Sequence, residues 1–335
     1  MTITICGGGS LGHVCAGFLA AHGNAEVNIL TTRPAAWSHT LTIDTPEGAS
    51  LTGKLNRISD NPADVIPTAD VVLLCLPGFA ISSELQRIQV HVRPGTYVGS
   101  VFCSTGFFFE ALRIFPDNIP LWGFQRVPFI SRTTEYGSRA TLKGYKTSHN
   151  IAVERCAEPE SFRKQVEKLF GAPVQLLANY YEASFTNSNP ILHPSRLYSM
   201  FAHWHLGDCF DHNILFYEEW TLEASELLIA MDRELFALLE RLPVTPGYLT
   251  PILEYYESTD AETLTRKIRS IAGFQGITSP MRQTADGWVP NFESRYFTED
   301  FPYGLRFIKE EAARQHVDTP TIDRIYNWGI SHIQP

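Results

Sequence analysis

Thr2-Ile3-Thr4-Ile5-Cys6-Gly7-Gly8-Gly9-Ser10-Leu11-Gly12 decides the fold of this chain. Thr2 to Cys6 reads as a short strand whose residues alternate toward a buried face. Gly7, Gly9 and Gly12 then fall on the spacing G-x-G-x-x-G, and a helix-like run from Gly12 to His22 follows at once. Between a strand and a helix each glycine has a task. Gly7 turns the chain tightly, Gly9 lets a pyrophosphate approach the backbone, and Gly12 lets helix and strand pack closely. The N–H groups at the helix start, around Ser10 and Leu11, then face the phosphates. The competing reading is a glycine-rich turn that holds no ligand.

Outward from this turn, Glu26 to Leu30 reads as a second strand, ending in Thr31-Thr32-Arg33-Pro34. In a dinucleotide fold that strand end meets the adenosine ribose. An acidic residue there would bond the 2′-hydroxyl of NAD. This chain has Arg33 and two hydroxyls instead, which suits the 2′-phosphate of NADP(H). The alternative is that Arg33 is a solvated loop residue. Residues 40 to 66 read as a polar hairpin or short strands. Ala69 to Pro77 is a continuous apolar run, as expected of a parallel strand buried on both faces. Its carboxyl end, Leu76 and Pro77, belongs near the cofactor, where ligands collect in open α/β sheets. Helices over 82–91 and 107–115, a strand over 96–103 and a strand pair over 121–130 continue the alternation of a doubly wound parallel sheet. After a helix at 161–170, residues 174–177 read as the last strand. Beyond Tyr180 the apolar residues recur at helical spacing, as in the stripe through 215–237. The expected organisation is a dinucleotide-binding domain at 1–180 and an all-helical domain at 181–335.

Composition bounds the function. The chain has 335 residues, 44% apolar and 19% charged, with a net charge of −9. An acidic balance argues against a nucleic-acid partner, since no basic stripe could neutralise phosphates. Six scattered cysteines without C-x-x-C spacing read as buried free thiols in a reducing compartment. A strand that starts at Thr2 leaves no room for a signal peptide, and the apolar run at 71–76 is too short to span a bilayer. A cytoplasmic protein is expected.

Two segments carry candidate chemistry. Thr186-Asn187-Ser188-Asn189-Pro190-Ile191-Leu192-His193-Pro194 surrounds one imidazole with residues that favour irregular backbone. His193 is either an acid/base group facing a cleft or a histidine packed at a helix start. In Asn291 to Pro302, Asp300 reads as an N-cap for a helix at 303–316. Arg295 pairs with Asp300 or Glu299, or else binds a substrate carboxylate. In a third cluster, His203, His205, Asp208, Asp211 and His212, a helix would put Asp208 and His212 on one face at i, i+4, and His205 and Asp208 at i, i+3. It reads as a polar surface rather than a metal site, and no metal is expected.

The glycine pattern, Asn-x-Asn-Pro-x-x-His-Pro at 187–194, and Arg295 five residues before Asp300 together resemble the opine dehydrogenase family of octopine/nopaline type. The resemblance covers nearly the whole chain. It implies a Rossmann domain followed by a helical domain of the 6-phosphogluconate dehydrogenase C-terminal type. It assigns His193 and Asp300 to catalysis, and Arg295 with Asn189 to substrate binding. Gly7, Gly9, Ser10, Leu11, Gly12, Arg33, Leu76 and Pro77 are assigned to the cofactor. The implied reaction condenses an amino acid with a 2-oxo acid through an imine that NAD(P)H reduces. Arg126, Arg132 or Arg196 would hold a second carboxylate. The implied partners are small molecules, with no nucleic acid, no membrane and a homodimer as the assembly. Two rivals stand beside this reading. A ketopantoate-reductase-like enzyme would share the glycine motif but needs a lysine in the second domain, and no lysine lies between Lys168 and Lys267. A non-catalytic NADP(H) sensor predicts that His193 and Asp300 do not meet.

Overall fold

A computed structural model describes residues 1–23 and 25–333. The chain forms two compact units, the first ending at Ser184 and the second beginning at Phe185.

The first unit starts with β1 (Thr2–Cys6), α1 (Ser10–Ala21) and β2 (Glu26–Leu30). Next come β3 (Thr40–Asp44), β4 (Ser50–Lys54), β5 (Ile58–Ser59), a short helix α2 (Pro62–Val65) and β6 (Val71–Leu74). Then follow α3 (Gly78–Ile88), β7 (Tyr97–Ser100), α4 (Phe107–Ile114) and β8 (Leu121–Phe124). β9 (Phe129–Glu135), β10 (Arg139–Tyr145), β11 (His149–Glu154), α5 (Pro159–Phe170), β12 (Val174–Leu176) and α6 (Tyr180–Ser184) complete it. Eight strands form one sheet in the order β12-β11-β8-β7-β6-β1-β2-β5. Only the β11–β8 pair is antiparallel. Period-2 geometry divides the apolar strands between two cores. Ile3, Ile5, Val71 and Leu73 join the core that includes α1 and α5, while Cys6, Val72 and Leu74 join the one that includes α3 and α4.

The expected strand pair at 121–130 is two strands in different sheets. β8 closes the parallel set, while β9 belongs to a four-stranded sheet ordered β4-β3-β10-β9. That small sheet packs on the outer side of α1. At Gly17 an added Cβ would come within 2.5 Å of Ile43, so the close approach depends on glycine. α1 therefore has a sheet on either side, and Gly12 through Gly17 are all buried.

In the second unit α7 (Asn189–Phe201), α8 (Leu222–Leu239), α9 (Ile252–Tyr255) and α10 (Ala261–Ser270) precede a ribbon of β13 (Met281–Thr284) and β14 (Gly287–Pro290). Helices α11 (Arg295–Thr298), α12 (Arg306–Arg314) and α13 (Pro320–Ser331) follow. The ribbon adds strands after residue 177, in a half whose sequence reads as wholly helical. The apolar stripe at 215–237 is helical only from Leu222. Upstream, long-range bonds override the periodicity. Phe216 N–H bonds Ile277 C=O at 2.7 Å, and buried Arg196 donates to the carbonyls of Phe216 and Glu219. Residues 202–212 are not helical either, so the proposed shared face of Asp208 and His212 does not exist. Asp208 accepts from the His205 N–H at 2.9 Å, and His212 pairs with Glu219. Among the described residues, no helix is long and apolar enough to cross a membrane. Four cysteines are buried thiols as expected, but Cys156 is half-buried, and Cys209, in the irregular 202–212 stretch, is exposed.

Candidate active site

The glycine turn is built by backbone exclusion. Gly7 has φ +120°, and a Cβ there would lie 2.6 Å from the Cys75 carbonyl. A Cβ on Gly12 would lie 2.0 Å from the Gly7 carbonyl. A Cβ on Gly9 meets nothing within 4 Å, so open space lies at the start of α1. No side chain caps that helix start. This is a cradle suited to a pyrophosphate. Cys75 N–H bonds Cys6 C=O at 2.8 Å, which brings Leu76 and Pro77 beside the turn. The Ser10 hydroxyl is tied to β9, accepting from Thr133 N–H at 3.0 Å.

Two residues that spacing did not single out complete this region. His13 Nδ1–H donates to Gly9 C=O at 2.9 Å, and its Nε2 accepts from Gly137 N–H at 2.7 Å. The pair of bonds fixes the neutral tautomer. Burial lowers the His13 pKa, and the Arg33 charge adds to the effect against the opposing bond to Gly9. Tyr136, from the β9–β10 turn, lies under Arg33, with the guanidinium carbon 3.8 Å from the ring centre. Burial alone would raise the Tyr136 phenol, yet bonds involving Thr31, Trp37 and Arg33 bring it below its ordinary value. Arg33 is exposed apart from this contact.

In the second unit, His193 lies in α7 rather than in an irregular loop. Pro190 occupies the first turn, where a missing N–H costs nothing. Pro194 falls inside the helix. His193 Nδ1 lies 2.7 Å from Asp300 Oδ2, across 107 residues of chain. Asp300 does not cap a helix. Its backbone is already helical, its side chain makes no capping bond, and a π-helical turn at Phe301–Leu305 follows. That turn packs against α7, since a Cβ on Gly304 would lie 3.2 Å from Pro190. Phe301 is fully buried against Gly329 and anchors the same turn. Upstream of α7, buried Asn187 donates to Asp232 at 2.9 Å and to Thr250 C=O at 2.8 Å. Burial raises the Asp232 pKa.

Around the imidazole stand Tyr217, whose hydroxyl is 3.2 Å from Nε2, Tyr296 with ring centres 4.6 Å apart, and Phe216 edge-on. Tyr217 gave no signal in the sequence because it lies in the irregular segment before α8. Arg295 begins α11 with its side chain 80% exposed, 3.9 Å from the Glu299 carboxylate. Asn189 is exposed at the first position of α7. Of the three candidates for a second carboxylate cation, Arg126 and Arg132 are exposed in the first unit. Arg196 is 1% exposed and spends its guanidinium on backbone carbonyls, so it is a structural residue. Burial lowers its pKa to about 10.

Residues 176–332 match the family model described as NAD/NADP octopine/nopaline dehydrogenase, alpha-helical domain. Residues 3–102 match the ketopantoate reductase PanE/ApbA model. An opine dehydrogenase of Haliotis discus hannai is 27% identical over 98% of this chain and 89% of its own length. A tauropine dehydrogenase of Arabella iricolor is 28% identical over 98% of this chain and 90% of its own. A solved octopine dehydrogenase superposes with a TM-score of 0.86 at 23% identity, covering 99% of this chain and 89% of that one, which establishes the shared fold. The helical half carries the more specific of the two model matches, and it is the half that holds the imidazole–carboxylate pair. Over nearly its whole length this chain is similar to opine dehydrogenases, and it is an NAD(P)-dependent oxidoreductase of that type.

Proposed function

We propose that the protein condenses an amino acid with a 2-oxo acid and reduces the resulting imine to a secondary amine. The observation that carries this reading is the 2.7 Å contact between His193 Nδ1 and Asp300. A carboxylate on Nδ1 fixes the tautomer and supports positive charge on the ring, leaving Nε2 for proton exchange. The amine adds to the keto carbon to give a carbinolamine. Protonation of its oxygen by way of His193 expels water and leaves the imine. When bound, the nicotinamide supplies the hydride that reduces the imine carbon. Arg295, exposed and weakly engaged, is assigned to a substrate carboxylate, and Asn189 to the substrate beside it. The Gly7–Gly12 turn, with Ser10, Leu11, Leu76 and Pro77, would hold the cofactor.

NADP(H) is the proposed preference. Arg33 is held against Tyr136 and is otherwise exposed, a placement that suits a 2′-phosphate. The relatives extend this reading without fixing the substrates. One solved octopine dehydrogenase is described with NADH and L-arginine, another with NADH and pyruvate. A yersinopine dehydrogenase of the same fold is described with NADP+. A simple ketopantoate-type reduction has a family-model match only at 3–102, and a sensor without turnover predicts that His193 and Asp300 do not meet, whereas they lie 2.7 Å apart.

The test is NADPH oxidation over a matrix of amino acids and 2-oxo acids. Dependence on both partners is expected. Oxidation with a 2-oxo acid alone would overturn the condensation in favour of a plain reductase.

A further inference from the structure

We propose that the Tyr217 hydroxyl is a proton relay between His193 Nε2 and the substrate oxygen. The proposal rests on the reading of His193 as the acid. Asp300 occupies Nδ1, so Nε2 is the nitrogen through which a proton can pass. Nε2 faces the Tyr217 hydroxyl at 3.2 Å. A phenol can accept from an imidazolium N–H and at the same time donate its own proton onward.

Tyr217 is also held in place. It is 6% exposed, and its ring stacks on Phe274 with centres 4.1 Å apart. The carbonyls of Phe216 and Glu219, on either side, accept from Arg196, and that of Trp220 accepts from Arg269 at 2.7 Å. One buried arginine, Arg196, and one exposed arginine, Arg269, thus clamp the segment that carries the hydroxyl. The other groups around the imidazole do not compete for Nε2. Asp300 is on the opposite nitrogen, Tyr296 meets the imidazole ring to ring, and Phe216 has no polar atom on its side chain. Burial, followed by the neighbouring phenols and Asp300, pushes the Tyr217 hydroxyl well above its ordinary range. It therefore stays protonated and conducts rather than acting as a base.

The step balances. The Nε2 proton moves to the phenolic oxygen while the phenolic proton moves to the carbinolamine oxygen. The imidazolium becomes neutral and the phenol is regenerated; the C–O bond breaks to release water while the nitrogen lone pair closes the C=N bond, so the positive charge passes to the iminium.

Tyr217→Phe keeps the ring stack and removes the hydroxyl. In the full-length protein, the His193 Nε2 resonance in ¹⁵N NMR should shift, because its hydrogen bond is lost. The kcat should fall about 100-fold with NADPH affinity unchanged. The solvent proton inventory, bowed in wild type because two protons move together, should become linear. A kcat within about threefold of wild type would overturn the relay. So would a slow variant with an unaltered inventory, which would leave only packing. Phe274→Leu, which loosens the stack and keeps the hydroxyl, guards against misfolding. It should retain a bowed inventory, and a linear one would overturn the relay. A wild type that turns over no substrate pair overturns the condensation reading whatever the resonance does. A resonance indifferent to Tyr217→Phe overturns the relay whatever the turnover.

Discussion

The glycine turn at residues 7–12 and the His193–Asp300 pair are both small, yet opposite means hold them. The turn exists because atoms are missing: a methyl on Gly7 or Gly12 would run into backbone. The pair exists because atoms are present: two side chains meet across 107 residues, each carried by an element fixed elsewhere. One region is broken by addition and the other by removal. A backbone cradle can therefore be specified within a dozen residues, whereas a side-chain pair needs a finished fold before it has any geometry.

Removal at the pair gives the largest expected effect. His193→Ala should lower kcat by about 10²–10⁴-fold while leaving NADPH affinity unchanged in a fluorescence titration. A parallel loss of cofactor affinity would make the pair structural and erase the contrast. Addition at the turn comes next. Gly12→Ala should abolish NADPH binding and cost about 1–3 kcal/mol of stability, read from denaturant unfolding. Gly9→Ala sharpens the comparison, because its Cβ meets no protein atom. Its stability should match wild type while NADPH affinity falls about tenfold, the loss that one contact to a charged phosphate would give. Equal stability losses for the two variants would show that the open space at Gly9 is not a ligand cradle.

Acidification tests the one imidazole that holds the turn. The folded-state pKa of His13 lies below its unfolded value of about 6.5, so the unfolded chain binds more protons between the two. Stability should therefore fall as pH drops through about 6.5 toward the lowered value. His13→Gln, unable to titrate, should flatten that dependence in melts across the same window. The smallest effect is expected at the ribose end. Arg33→Ala should weaken NADPH about tenfold and leave NADH unchanged, measured as the ratio of the two dissociation constants. An unaltered ratio would remove the cofactor preference.

How much of this was legible follows the same division. Strand β1, the turn, the buried strand β6 and the run of α1 are local patterns, and they read directly from Thr2 to His22 and Val71 to Leu74. The four-stranded sheet was not legible as a unit. β3 pairs with β10, and Asp44 binds Arg139, across 95 residues that no periodicity links. His193 and Asp300 could be placed together only through the family resemblance. Spacing alone favoured a cap for Asp300, and the π turn after it has no sequence period to detect. Tyr217 and the irregular course of 202–221 were hidden because Arg196 and Arg269 bind that backbone. A buried arginine reads like any surface cation until its partners are known.

The enclosure of α1 has a further consequence. Helices on protein surfaces fray outward into water, but this one has a sheet on each flank and six consecutive buried residues. The amide protons of Gly12 to Gly17 can meet solvent only when one of the two sheets lifts away. That buried stretch behind the phosphate cradle should then be among the last parts of the first unit to lose order, with the slowest hydrogen exchange in that half of the chain.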